Sequence, residues 1–391
     1  MNINEITYWV TLASMPKMKT RRKNDLYVSC FTHSPQYSII DLFERQEIRR
    51  EVGVTPEEEM MFIEAYQYLA NNAFLVEDLI NQGYDILPIT SPDYPKALKI
   101  NLKRAAPCVV YIKGDKGLLN TASTAIVGSR KANVTSLAFT INIARKAIHE
   151  NRTVVSGFAK GVDRQALDAA IQAHGKSIIV LPQGITTFTT GYKQYYQQIY
   201  QGQVTVISTF HPKAPWSKEL AMARNSIIYG LSSEIYAAES DSKGGTWSGV
   251  IEGLKKGQKI YVRKPQVGEN NANLQLIQKG GIGVDMYGNI IKDIPDISKT
   301  AVDNTYSIDY NDQPIVDNAS TDQKIKILVL SLLTGKKMSK QILAEANLDW
   351  SDARMKRFLR SLSEVGEEKK SGKILFFKLG YEEPSLFNEN F

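Results

Sequence analysis

Cysteine is almost missing from this chain: Cys30 and Cys108 are the two present in 391 residues. Two thiols build neither a disulfide framework nor a cysteine zinc site, and such sparse usage suits a reducing cytoplasm. Histidine is equally scarce, at His33, His149, His174 and His211. Their spacing offers no zinc constellation, so neither a metal nor a cofactor is expected. No apolar run is long enough to span a bilayer, and the N-terminus lacks the basic-then-apolar order of a secretory signal. The expectation is therefore a cytoplasmic location without a membrane partner. The two common nucleotide fingerprints, G-x-x-x-x-G-K-[ST] and G-x-G-x-x-G, are absent, and no G-x-S-x-G elbow marks a serine hydrolase.

What is present is an ordinary globular composition, 43% hydrophobic, in a chain long enough for two or three domains. Lys and Arg number 48 against 41 Asp and Glu, a net charge of +7 that favours acidic partners, nucleic acid first. The surplus sits in separate clusters: Arg21-Arg22-Lys23, Lys99 with Lys103-Arg104, Lys255-Lys256, and Lys336-Lys337 with Lys340. Taken singly, each cluster reads as a solvated surface.

The organisation follows from periodicity. Residues 1–82 read as a helical domain, with Pro56 at an early helical position, Glu57-Glu58-Glu59 in a first turn, and Ile63, Tyr66, Leu69 and Ala70 at helical spacing. In 83–285 short apolar runs alternate with amphipathic segments such as Ser136–Ile148 and Asp163–Ala173. The runs are Ala125–Val127, Thr153–Val155, Ile178–Leu181, Val204–Ser208, Ile235–Ala238 and Lys259–Val262. That alternation predicts an α/β fold, an extended Rossmann-like, doubly wound and mostly parallel sheet. Residues 286–322 lose the periodicity and gain Pro, Asp, Asn and Ser, the mark of a linker. In 323–391 three helices, Lys324–Leu333, Ser339–Ala346 and Trp350–Ser363, precede a charged turn between apolar runs, which predicts a winged-helix-like domain.

Three of the apolar runs break into glycine-bearing turns before a polar helix. The middle break, Ser156-Gly157-Phe158-Ala159-Lys160-Gly161-Val162-Asp163, strips side chains from a strand-to-helix turn, so that backbone N–H groups are free to meet a phosphate. Asp163 is then the expected N-cap, and turning the chain is the competing use of the glycines. Gly128, Ser156-Gly157 and Gln183-Gly184 are expected to converge beyond the strand ends, where ligands of such sheets bind. Arg130, after Gly128-Ser129, is placed to clamp a phosphate, or to pair with a neighbouring carboxylate. Arg224-Asn225 reads as the start of a helix through Gly230. Lys243-Gly244-Gly245-Thr246 is another candidate nest, with Thr246 as a plain cap in the competing reading. Near the C-terminus Met355, Phe358, Leu359 and Leu362 share one helix face, opposite Lys356, Arg357 and Arg360, as in a helix that contacts DNA or protein.

Ala125-Ile126-Val127-Gly128-Ser129-Arg130, Val155–Asp163, Ser177–Leu181 and Ala223-Arg224-Asn225-Ser226-Ile227-Ile228-Tyr229-Gly230-Leu231-Ser232 together resemble, in order, the core motifs of the DprA/Smf family. Asp93–Leu98 and Ala106–Gly114 are similar to its lead-in. The likeness covers roughly Asp93 to Val284. It implies a protein that binds single-stranded DNA, with Arg130 in the pocket, that protects incoming strands and loads a RecA-type recombinase, and that forms a homodimer through the Rossmann domain. No covalent step is implied, so a binding protein is expected and not an enzyme. The chain departs from the family at Ser226, where a second Arg is usual, at Leu167 for the common His, and at Trp216–Met222 for the Phe-Pro pair. The rival class is a nucleotide sensor or phosphoribohydrolase on a related Rossmann fold, with a role in anti-phage defence as one form of it. The cleaving relatives carry P-G-G-x-G-T-x-x-E, whereas Gly244-Gly245-Thr246-Trp247 lacks that spacing and Glu252 follows late.

Overall fold

Runs such as Ile178-Ile179-Val180-Leu181 are apolar at every position because both faces of their strand are covered. The computed structural model, which describes residues 2–291 and, between 329 and 378, all but 331, 334–336, 347, 349, 363 and 371–372, separates each run by parity. Ile178 and Val180 enter one core with Ile227, Ile228 and Leu231. Ile179 and Leu181 enter a second, together with Trp9, Leu12, Leu75 and Leu79 from the N-terminal helices.

The sheet has nine strands in the order β1-β2-β6-β5-β4-β3-β7-β8-β9. They are β1 (Asp85–Pro88), β2 (Val109–Lys113), β3 (Ser123–Val127), β4 (Thr153–Ser156), β5 (Ser177–Val180), β6 (Val204–Ser208), β7 (Glu234–Ala237), β8 (Ile260–Arg263) and β9 (Ile282–Val284). From β6 across to β9 all neighbours are parallel, while β2 pairs antiparallel with both β1 and β6. The doubly wound, mostly parallel expectation is met. The chain builds outward from β3 through β4 and β5 to β6, then returns to lay β7 on the other side of β3. That reversal opens a crevice between the loops that follow β3 and β7, the place where open α/β sheets bind ligands.

The helices before and within the sheet are α1 (Ile3–Ser14), α2 (Thr20–Thr32), α3 (Ile39–Glu44), α4 (Gln46–Glu51), α5 (Pro56–Tyr66), α6 (Leu69–Asn81), α7 (Lys96–Leu102), α8 (Val134–His149), α9 (Val162–Gln172), α10 (Thr189–Gln194), α11 (Tyr196–Tyr200), α12 (Lys218–Leu231), α13 (Gly245–Lys255) and α14 (Asn273–Gln278). Pro56 is the first residue of α5, under a capping box in which Thr55 and Glu58 exchange hydrogen bonds. The helical stripe expected through Ile63 and Tyr66 does not face the core: both are exposed, and Phe62 takes that place. The chain breaks at Gln67-Tyr68, so Leu69 begins a new helix whose buried residues are Asn72, Leu75, Val76 and Leu79.

The C-terminal part forms its own cluster around Val329, Leu333, Ile342, Met355, Leu359, Leu362 and Phe376. Its helices Ser339–Ala346 and Asp352–Ser361 are followed by an antiparallel hairpin of β10 (Val365–Lys370) and β11 (Lys373–Lys378). Met355 and Leu359 are buried and Phe358 packs edge-on to Trp350. Most of the helix expected over Lys324–Leu333, and the linker from 292 onward, lie outside the described residues.

Candidate functional site

The crevice between β3 and β7 is a cleft of about 530 Å³. Four stretches line it: Val127–Lys131 at the end of β3, the α12 residues Lys218, Ala221, Met222, Arg224, Asn225, Ile228 and Tyr229, Asp241 with Lys243–Thr246 at the start of α13, and Trp216, with Ala159 and Asp163 behind. Arg130, Lys131, Lys218, Arg224 and Lys243 face two acids, Asp163 and Asp241. The balance favours an anion.

Each wall is fixed locally. The Ser129 N–H donates to the Glu239 carbonyl at 2.9 Å, tying the β3 loop to the end of β7. Gly128 lies so close to α9 that a Cβ would sit 2.5 Å from Val162 Cγ2. Arg130 is exposed, and its guanidinium carbon lies 6.0 Å from the centre of the Trp216 ring. Ser217 caps α12 by accepting the Leu220 N–H at 3.1 Å. Gly244, at φ +104°, enters α13 with no side chain bonded across the helix start. The first N–H groups of α13 therefore meet the cleft with the positive end of the helix dipole behind them. Asn225 Nδ2 donates to the Gly245 carbonyl at 3.2 Å and joins the two helix walls.

The turn after β4 is built differently. Its N–H groups do surround an anion, but the anion is the protein's own: the Asp163 carboxylate accepts from Ala159 at 3.4 Å and from Gly157. Asp163 is the second residue of α9, not its N-cap, a place taken by Gly161 at φ +87°. Gly157 is required because a Cβ there would lie 1.4 Å from Arg224 Nη1, and Gly161 because one would lie 2.5 Å from the Ser129 carbonyl oxygen. Phe158, at φ +65°, locks the turn from the far side: the Arg164 guanidinium lies 3.8 Å from its ring centre, and Phe188 meets it edge-on.

Arg224 is buried, in mid-helix and not at a helix start. Nη1 donates to the Val180 carbonyl at 3.0 Å and Nη2 stands 3.7 Å from Asp163 Oδ2. Burial lowers the guanidinium pKa and raises that of Asp163, with each charge pulling the other back. Nε of Arg224 and the hydroxyl of Tyr229 are both buried without a hydrogen-bond partner, and both residues line the cleft. Such orphaned groups carry a desolvation cost that an incoming acceptor relieves.

Of the residues singled out in the sequence, Gly128, Ser129, Arg130, Ala159, Arg224, Asn225, Lys243, Gly245 and Thr246 meet in the cleft. The others do not. Ser156 is buried and donates to the Ile126 carbonyl, Gly157 and Gly161 pack inward, and Lys160 is exposed outside the lining. Gln183 donates to Thr187 Oγ1, while the Gly184 N–H donates to the Ala214 carbonyl and so braces the loop that carries Trp216. Thr246 does not cap α13, whose cap position is Gly244. In the C-terminal helix Lys356 pairs with Asp352 and Arg360 with Glu367, and Arg357 is exposed. Sequence reading gave no site role to Lys131 or Tyr229, and took Trp216–Met222, with Lys218 and Met222 inside it, only as a departure. Lys218, Ala221, Met222, Asn225, Ile228 and Tyr229 recur at helical spacing. The stripe becomes legible once α12 begins at Ser217.

Among the described residues, no three His, Cys, Asp or Glu side chains are placed to share a metal ion, and no helix is long and apolar enough to cross a membrane. Comparison with known proteins adds a family. The chain is 26% identical over 221 residues to DNA processing protein DprA of Bacillus subtilis, spanning 55% of this chain and 73% of that protein. It is 28% identical to the DprA of Streptococcus pneumoniae over 45% of this chain and 62% of that protein, less than two thirds of its length. The X-ray structure of S. pneumoniae DNA processing protein A superposes with a TM-score of 0.57 at 23% identity, over 73% of this chain and 95% of that one, which shows the shared fold. The model of the DNA recombination-mediator protein A family matches residues 85–295, more than half of the sequence, and the chain with its parallel sheet and cationic switch-point cleft belongs to that family.

Proposed function

We propose that this chain is a DNA-processing protein that binds single-stranded DNA by its phosphates in the cleft between β3 and β7. The observation that carries the reading is the uncapped N-terminus of α13, open to a cleft with five basic side chains and a buried, unpartnered Arg224 Nε. Backbone N–H groups and guanidinium together suit a phosphate diester, and the openness of the cleft suits a strand that continues past it. The names of the relatives, DNA processing proteins, agree with this. Family membership extends the proposal to protection of incoming strands, transfer to a RecA-type recombinase, homodimerisation and a cytoplasmic location. The helix pair and hairpin at the C-terminus are read as a winged helix offering Lys356, Arg357 and Arg360 to DNA or protein. Binding without catalysis is part of the proposal.

The geometry gives little to the phosphoribohydrolase reading. Glu252, the carboxylate it needs, is exposed, paired with Lys256, and lines not the cleft but a small hollow with Gln258 on the other side of Asn225 and Tyr229. Asp163, which does reach the cleft, is committed to Arg224 and the turn. A labelled oligonucleotide titrated across a salt series, with nucleoside monophosphates as competitors, tests the proposal. Single-strand binding with a steep negative salt slope supports it. Tight mononucleotide binding, with release of base or ribose phosphate that Glu252→Gln abolishes, replaces it with the hydrolase.

A further inference from the structure

Trp216 is an exposed tryptophan in a charged cleft, with 52% of its surface open, whereas Trp9 is fully buried and Trp247 and Trp350 are partly buried. Folding gains little from an indole left in water. The loop that holds it is nevertheless rigidly placed. Gly184 and Thr186 donate from their backbones to the carbonyls of Ala214 and Pro212 at 2.8 and 3.1 Å, and a Cβ on Gly184 would lie 2.2 Å from the Pro212 oxygen. One residue beyond Trp216, Ser217 caps α12. The ring is thus fixed from both sides. Arg130 stands beside it with its guanidinium carbon 6.0 Å from the ring centre, and Lys131, Lys218 and Lys243 line the same cleft.

A planar apolar ring among cations fits a ligand with a flat apolar part and an anionic part in alternation, which describes a nucleotide unit. We infer that Trp216 is a stacking platform for one base of the strand, with Arg130 placed to hold the adjoining phosphate. The inference rests on the single-strand reading and adds what that reading lacks, a contact made to a base and not to the backbone. A stacked ring contacts the face that every base shares, so the platform takes any sequence.

The test uses the full chain and two probes of equal length, an oligothymidylate and a strand of abasic sites. Wild-type protein is expected to prefer the thymidylate about tenfold, the worth of one stacked base. Trp216→Ala is expected to abolish that preference while keeping the affinity for the abasic strand, and Trp216→Phe to retain most of it. If Trp216→Ala weakens both probes alike, or neither, the platform is wrong. If the wild type binds both probes equally, the phosphate reading stands and the platform falls; if it binds neither, both fall. Should Trp216→Ala fail to fold, fluorescence of a Trp247→Phe variant decides. Quenching by the thymidylate and not by the abasic strand supports the platform, and equal or absent quenching overturns it.

Discussion

Two glycine turns, each leading from a strand into a helix of the same sheet, are put to opposite uses. The turn after β4 is filled. Gly157 and Gly161 leave no room for a Cβ, and the N–H groups around them are spent on Asp163, which balances the buried Arg224. The turn after β7 is open. Gly244 has nothing within 4 Å of a notional Cβ, and Gly245 meets only Asn225 and Met222 at 3.3 and 3.5 Å. In the first case glycine permits close packing; in the second it keeps a helix end bare. A glycine-rich turn therefore announces a backbone that must stay uncovered, but not whether protein or solvent lies against it.

Substitutions that fill each turn break or sharpen this contrast. Gly157→Val drives a side chain into Arg224 and is expected to cost about 3–5 kcal/mol, the scale of a disrupted buried charge pair. Urea denaturation measures it, and a near-neutral result shows the turn to be looser than described. Asp163→Asn leaves Arg224 buried beside a neutral group and should destabilise by about 3 kcal/mol, with Asp163→Asn combined with Arg224→Met recovering much of that. In the open region the effects move from stability to binding. Arg130→Ala should reduce single-strand affinity by about 1.5–3 kcal/mol, the worth of a charge-assisted contact, while the melting temperature hardly moves. Unchanged affinity in the folded variant removes Arg130 from the site. Gly245→Asp, an acid in the first turn of α13, should change stability by less than about 1 kcal/mol and yet weaken anion binding about tenfold. A variant that binds normally shows that this helix end does not meet phosphate.

Six of the seven parallel strands were legible because each is a short apolar run flanked by polar or glycine-bearing segments; Val204–Ser208 has its expected bounds, the other five fall within two residues, and the three-residue β9 was not foreseen. β1 and β2 escaped as strands because their pairing is antiparallel and β1 joins the sheet only through β2, which no local period reveals. At the site, Gly128-Ser129-Arg130 and Lys243–Thr246 were legible as loops at strand ends. Ser156–Gly161 misled because a spacing of glycines carries no record of which way the turn faces, a matter settled by Arg224 sixty-odd residues later in the chain. Trp216 and Lys218 were hidden by placing the start of α12 at Arg224. The Ser217 cap, followed at once by Lys218-Glu219 in the first turn, was the signal that was passed over.

The filled turn also bears on what a glycine motif can reveal about binding. Gly157 and Gly161 are held by collision with Arg224 and with the β3 loop, so replacement is blocked by folding alone, whether or not a ligand is ever bound. A glycine at either position is therefore explained by the internal joint it closes and is in itself no sign of a ligand. The positions that can report on a ligand are those where the fold itself is indifferent, such as the exposed Arg130, Trp216, Lys218 and Lys243.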